Sequence, residues 1–325
     1  MQRNDALDIA KAIGILLVIL GHCPEIPMMP FRHFIYTFHM PLFFLISGYL
    51  YKPKDVKSSL KKDAIYLLSP YFYTCFFIIF ISFVGGLLSG DFDEIVYYIE
   101  AMFVGSGGTH PCLYFSDPPI IGAIWFLPAL YVCKNTYNCL QAYGCREKLF
   151  ISSVIFIVST LIGYYLLFLP FSILSGLSAM IFYSIGDALK SVKRIPLPYW
   201  FLGFVCWALA FKYSHLYIAT PQLDLFFVDV IGATTLSLCV FLISQKMCKF
   251  TFLAVPFTLI GRLTLYILCF HTLDIDILCS STLLARQLGD TPAMIGLWAI
   301  VLRVLMPVAA AYIFLWIKTV CQKSK

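Results

Sequence analysis

The sequence predicts an all-α fold, a polytopic membrane helical bundle of about ten transmembrane helices with both termini in the cytoplasm. Three observations predict it. Of 325 residues, 61% are hydrophobic and only 12% charged, too little charge to cover a soluble domain of this length. Apolar runs near the ~20 residues that span a hydrocarbon core recur along the chain, at 8–23, 31–51, 66–89, 122–140, 149–168, 172–190, 197–213, 225–244, 258–279 and 293–317. With the connections placed on alternate sides, nineteen of the 23 Lys and Arg fall on one side, leaving only Arg32, Lys212, Arg286 and Arg303 on the other. The positive-inside rule makes the basic side cytoplasmic. Little chain remains for anything else, so 1–325 reads as one integral-membrane domain.

The first run, 8–23, is short and follows a basic residue, as a signal peptide does. No small-x-small cleavage site follows it, and Pro24-Glu25-Ile26-Pro27 reads as a turn, so it stands as the first helix. The second run carries His39 and then Ser47-Gly48, a pair of small residues that lets helices pack closely. Lys52, Lys54, Lys57, Lys61 and Lys62 separate it from the third. The connection 90–121 holds Asp91, Asp93, Glu94, Glu100 and Asp117 with no Lys or Arg, which marks it as outer. Trp125 lies near the outer end of the fourth run, where an aromatic belt at the membrane interface is the ordinary explanation. The next four runs are apolar, with Asp229 inside 225–244. The ninth run follows Arg262 inward to His271, and the tenth contains Arg303, which needs a partner such as Asp229 or Asp274.

The first helix carries the chemistry. Lys11 and His22 are eleven residues apart, a rotation of about 1,100°, or about 20° past three turns, and a separation of about 17 Å. Asp8 joins the same face about 40° away. Such a polar stripe is tolerated in lipid only toward a protein interior or a water-filled cavity. Helix rise puts His22 about 17 to 21 Å from its cytoplasmic end, His39 about 12 Å in from the outer start of its run, and His271 about 14 Å beyond Arg262. All three imidazoles fall near the middle of a core about 30 Å thick. A neutral imidazole there can act as a general base on a hydroxyl; the plainer alternative is a hydrogen bond to a neighbouring carbonyl that fixes packing. Lys11 and Arg3 at the basic mouth can hold phosphates, or simply reach toward headgroups and set topology. Asp8, three residues before Lys11, can pair with it. The indole N–H of Trp125 can donate to a developing oxyanion.

The net charge of +6 is a topology signal and a source of attraction to lipid headgroups; nothing in the pattern suggests nucleic acid. The twelve Cys show no metal-binding spacing; Cys23 and Cys112 both lie toward the outer side, where they could meet, and sequence alone does not establish a disulfide between them.

Arg3-Asn4-Asp5, then Asp8-Ile9-Ala10-Lys11 and Gly21-His22, resembles the first helix of the acyltransferase 3 family, whose signature is a basic residue, ten residues, then His. Lys11 fills a position that is often Arg. Phe38-His39-Met40-Pro41-Leu42-Phe43-Phe44 with Ser47-Gly48-Tyr49 is similar to the second helix of its fucose-4-O-acetylase-like branch, and Ser69-Pro70-Tyr71, Ile124-Trp125-Phe126-Leu127-Pro128 and Leu268-Cys269-Phe270-His271 fit as well. The resemblance implies a ten-helix integral-membrane O-acyltransferase of the bacterial inner (plasma) membrane. It would use acetyl-CoA as acyl donor and a glycan or lipid-linked saccharide hydroxyl as acceptor, with no metal. Some members add a periplasmic SGNH domain; here none is expected. In that setting His22 is the base, with Trp125, His39 and His271 as catalytic candidates and Lys11, Arg3 and Asp8 at the CoA phosphates. A multi-pass transporter or flippase would also show ten spans with midplane polar groups, but corresponding Gly/Pro-broken helices in two halves are not found. A non-catalytic scaffold leaves three mid-depth His unexplained.

Overall fold

A computed structural model describes residues 4–23, 29–108, 118–165 and 169–323. In chain order its helices are α1 (Asp5–Gly21), α2 (Met29–Tyr36), α3 (His39–Tyr49), α4 (Val56–Asp63), α5 (Ser69–Ser89), α6 (Asp93–Val104), α7 (Phe126–Cys139) and α8 (Cys145–Tyr165). There follow α9 (Ile173–Ser178), α10 (Met180–Ala188), α11 (Leu197–Tyr213), α12 (Phe227–Met247), α13 (Thr251–Leu273), α14 (Ser280–Leu288) and α15 (Pro292–Lys323). The one paired hairpin among the described residues joins Leu216–Tyr217 to Gln222–Leu223, antiparallel, ahead of α12. The fold is all-α, as the apolar runs require.

Helix covers part of every one of the ten runs. Among the described residues, four rods are long and apolar enough to cross a membrane: Val56–Ser89, Phe227–Met247, Thr251–Leu278 and Pro292–Gln322. The run 31–51, read as one helix, is instead two, α2 and α3. Pro41 has no N–H to give the Thr37 carbonyl, and its ring would strike that carbonyl, so the helix stops. The chain restarts at His39 with Pro41 in the first turn, where no donor is needed. Run 172–190 is likewise divided, between α9 and α10. In the longest rod, a π-helical stretch Ala64–Leu68 joins α4 to α5 immediately before Pro70, which cannot donate to Tyr66. The connection 90–121 contains α6, a helix too short and too polar at its start to register as an apolar run.

The chain divides into two compact units, one formed by Met1–Ile35 with Val240–Lys325 and the other by Tyr36–Cys239. In the first, α1 is buried on nearly every face and packs on α13. The contact is backbone to backbone: a Cβ on Gly261 would fall 1.8 Å from the Asp8 carbonyl oxygen. In the second, α3 and α10 meet in the same way. A Cβ on Gly48 would fall 1.9 Å from the Tyr183 carbonyl oxygen, and one on Gly186 2.2 Å from that of Leu45. The close packing expected of Ser47-Gly48 is therefore present, and around it Phe44, Tyr137, Phe182 and Tyr183 fill the core.

Candidate active site

Asn4 starts α1 by accepting the Ala6 N–H at 3.1 Å, and Asp5 and Asp8 lie in the first turn, where the positive end of the helix favours them. Lys11 donates to Asp8 Oδ1 at 3.2 Å. From α13, the residue after Gly261 reaches the same carboxylates: Arg262 Nε lies 3.7 Å from Asp8 Oδ2, and its Nη2 3.8 Å from Asp5 Oδ1. Close approach at Gly261 thus places a guanidinium beside the Asp8–Lys11 pair. Sequence reasoning counted Arg262 only as a topology charge. The Gly-Arg dipeptide inside an apolar run was the available signal. Arg3 lies outside the described residues.

At the far end of α1 the last carbonyls have no helical donors. His22 supplies two of them, since its backbone N–H and its ring Nδ1 both donate to the Val18 carbonyl, the ring at 2.8 Å. A carbonyl only accepts, so Nδ1 carries the proton, and in a neutral imidazole the basic nitrogen is Nε2. Arg32 Nη2 donates to the Cys23 carbonyl at 2.8 Å, placing a cation at the negative end of the helix. Cys23 Sγ lies 3.3 Å from the Ile19 carbonyl; its suggested partner Cys112 is outside the described residues.

The first unit brings His271 to His22. Their rings sit 5.8 Å apart, nearly perpendicular at 76°. His271 is fully buried, and among the described residues neither of its nitrogens has a hydrogen-bond partner. Because Asp8 meets Gly261 at one end and His22 meets His271 at the other, α1 and α13 run in the same direction. One end of this helix pair is ionic and the other is imidazole. Beyond His271, Asp274 accepts from Ser280 Oγ, from Ser281 N at 3.0 Å and from Ser281 Oγ at 2.6 Å, fixing the corner into α14. Arg303, only 7% exposed on α15, donates to Thr282 Oγ1 at 2.8 Å. Asp229, the other partner suggested for it, sits in the second unit, where it accepts from Ser214 Oγ and Leu225 N.

In the second unit His39 opens α3, buried, with its ring 5.2 Å from that of Tyr36. Trp125 ends a 3-10 turn and is 6% exposed, so it is a core residue rather than part of a lipid-facing belt. Its indole lies against Gly107, where a Cβ would come within 1.9 Å of the ring. This unit also contains a cluster that sequence reasoning missed. Asp187 accepts from Lys148 at 2.6 Å, Lys190 at 2.7 Å and Tyr137 at 2.8 Å, and both ammonium groups lie over the Tyr51 ring at 5.3 Å. Its signal was a lone carboxylate in an apolar run flanked by residues counted as cytoplasmic lysines.

Fold and site define an α-helical membrane protein in which a fully buried imidazole, His271, meets a second, His22. Residues 4–316 match the family model Acyl_transf_3, described as an acyltransferase domain, and the chain belongs to that family. It is 31% identical to the nodulation protein NolL of Sinorhizobium fredii over 142 residues, 40% of this chain and 34% of that protein. It is also 36% identical to the nodulation protein NolL of Mesorhizobium japonicum over 87 residues, 23% of each. The matched part of the chain thus spans about a third or less of the curated relatives' length. No solved structure matches it.

Proposed function

We propose that the protein is a membrane O-acyltransferase that moves an acetyl group from cytoplasmic acetyl-CoA to a hydroxyl of a cell-surface glycan or its lipid-linked precursor. It works in a bacterial inner (plasma) membrane, which it crosses about ten times with both termini in the cytoplasm. The family match supports acyl transfer, and the nineteen-to-four division of Lys and Arg supports the orientation. The observation that carries the reading is the His22–His271 pair at one end of two helices that hold Lys11 and Arg262 at the other.

In this reading Lys11 and Arg3 meet the CoA phosphates at the cytoplasmic mouth, and Asp8 holds the Lys11 ammonium in place. The pantetheine arm extends along the helix pair. Lys11 and His22 are about 17 Å apart by helix rise, a span that an extended arm of about 15 to 20 Å covers. His22 Nε2 takes the proton of the acceptor hydroxyl as its oxygen attacks the thioester carbonyl. His271, whose nitrogens are not committed to other described residues, binds that hydroxyl and turns it toward His22. Each of these steps draws on the first unit; His39 and Trp125 carry none of them.

The test is transfer of label from acetyl-CoA to the host's extracted surface glycans by membranes containing the protein. His22→Ala, inserted at the wild-type level, is expected to lose roughly 100-fold or more in rate, as removal of a general base does. A wild-type rate in that variant rules out His22 as the base.

A further inference from the structure

The short hairpin ahead of α12 sorts its residues onto two faces. Directly opposed residues of an antiparallel pair share a face, and so do alternate residues along each strand. Leu216 pairs with Leu223 and both are buried, so that face seals against the second unit. Tyr217 pairs with Gln222, and His215 and Asp224, two residues from each, continue the same opposite face. The His215 N–H and its ring Nδ1 both donate to Asp224 Oδ2, at 2.9 and 3.2 Å. The His215 ring also lies parallel to that of Tyr217, with 6° between their planes and centroids 6.2 Å apart. His215, Tyr217 and Asp224 are all exposed. The ribbon is fastened at both ends and at its tip. Ser214 Oγ and Leu225 N, on either flank, donate to the buried Asp229, and Ser175 Oγ donates to the Ala219 carbonyl at 3.0 Å. Tyr36 supports Tyr217, ring to ring at 6.1 Å and 65°, and His39 lies 5.2 Å from Tyr36 in turn. In the orientation proposed above, the connection 214–224 and the start of run 31–51 are both outer, with Lys212 and Arg32 counted on that side. Two outer segments far apart in sequence thus meet through their tyrosines.

The geometry points to this hairpin face as a saccharide-binding platform, on which one pyranose ring of the glycan acceptor stacks against Tyr217 and gives a hydroxyl proton to Asp224. This rests on the acyltransferase reading above. A pyranose presents a face of C–H bonds and a rim of hydroxyls. The exposed ring of Tyr217 supplies a flat apolar surface for that face, held in place by Tyr36. A carboxylate accepts at both oxygens, so Asp224, with Oδ2 engaged by His215, meets a hydroxyl through Oδ1. Tyrosines near a membrane interface are ordinarily explained as a belt at the headgroups. A belt requires no carboxylate clamped to the ring that stacks on the tyrosine, whereas recognition of a polyhydroxylated ring does. The platform binds the acceptor and takes no part in proton transfer.

The experiment measures transfer from labelled acetyl-CoA at varied concentrations of the host's extracted surface glycans, in membranes carrying equal amounts of inserted protein. Tyr217→Ala is expected to raise the glycan KM about tenfold, the worth of a lost stacking face, with kcat and the acetyl-CoA KM little changed. Tyr217→Phe keeps the face, and its glycan KM should stay within about threefold of wild type. Asp224→Ala should raise the glycan KM about tenfold, as loss of a charged acceptor does, and it decides the matter if Tyr217→Ala does not insert. Retention of the same glycans on immobilised, detergent-solubilised His22→Ala protein reads binding without turnover. Adding Tyr217→Ala to that protein should weaken retention about tenfold. A wild-type glycan KM in Tyr217→Ala overturns the platform. So does a Tyr217→Phe as impaired as Tyr217→Ala, or an unchanged Asp224→Ala where Tyr217→Ala does not insert. Any of these with His22→Ala inactive removes the platform alone. Glycans retained through Tyr217 but never acetylated by the wild type leave the platform and remove the acyl-transfer reading; glycans neither retained nor acetylated remove both.

Discussion

Asp187 in the second unit and His271 in the first are both ionisable side chains held inside apolar helices, yet their surroundings are opposite. Asp187 accepts from two ammonium groups and a phenol, and the ammonium groups lie over aromatic rings. His271 is buried more completely and has no hydrogen bond on either nitrogen among the described residues. A buried polar group left without a partner is costly, and its persistence calls for a reason. The saturated cluster ties α7, α8 and α10 together and has little left to offer a ligand. His271, with no hydrogen bond among the described residues, forgoes stability at the place where a substrate hydroxyl is proposed to bind. The comparison separates two uses of intramembrane charge, one for holding helices and one for reacting.

Asp187→Asn should give the largest change in stability. It leaves the Lys148 ammonium buried against Tyr51 and Tyr137 without its counter-charge, and breaking a buried pair in this way costs about 3 kcal/mol or more. The expected result is a markedly lower thermal midpoint in detergent, with the protein that remains folded transferring acetyl at close to the wild-type kcat. A specific loss of kcat at an unchanged midpoint would move Asp187 into the reacting class and break the comparison.

His271→Leu should behave in the reverse manner. Replacing an imidazole that has no hydrogen bond among the described residues by an apolar side chain removes a desolvation cost, so the midpoint should hold or rise. Transfer should fall roughly 100-fold, in the range of a lost acid–base or hydroxyl-binding group. Full activity in His271→Leu would make this imidazole a packing residue and leave His22 to act alone.

The stripe of Asp8, Lys11 and His22 was legible because a continuous helix fixes rotation and rise by residue count alone. That His22 and His271 share a level was legible for the same reason, and so was the Gly48 contact, since only a small residue permits it. What could not be read was which helix faces which. The position of Arg262 at Asp8 depends on Gly261 meeting the α1 backbone, and the Asp187 cluster on residues from several helices. Both are tertiary facts that no local period encodes. The break between α2 and α3 belongs to another class, because Pro41 was in view and a run of apolar residues masked its effect.

The smallest effect is expected at the ionic end of α1, and it sharpens the comparison most finely because that end is neither saturated like Asp187 nor, like His271, without a hydrogen bond among the described residues. Lys11 is a quarter exposed and shares Asp8 with Arg262, so Lys11→Ala leaves the carboxylate with a cation 3.7 Å away and should fold normally. If Lys11 holds a donor phosphate, its loss removes a charge-assisted hydrogen bond made equally in the ground and transition states. The acetyl-CoA KM should then rise about tenfold with kcat little changed. Lys11→Arg keeps the charge and adds a fork suited to phosphate, so its KM should return to the wild-type value or fall below it. Because the contact lies near water, added salt should raise the wild-type KM and narrow its distance from Lys11→Ala. A loss confined to kcat, insensitive to salt, would place Lys11 with the reacting groups deeper along the helix and remove the phosphate from the mouth.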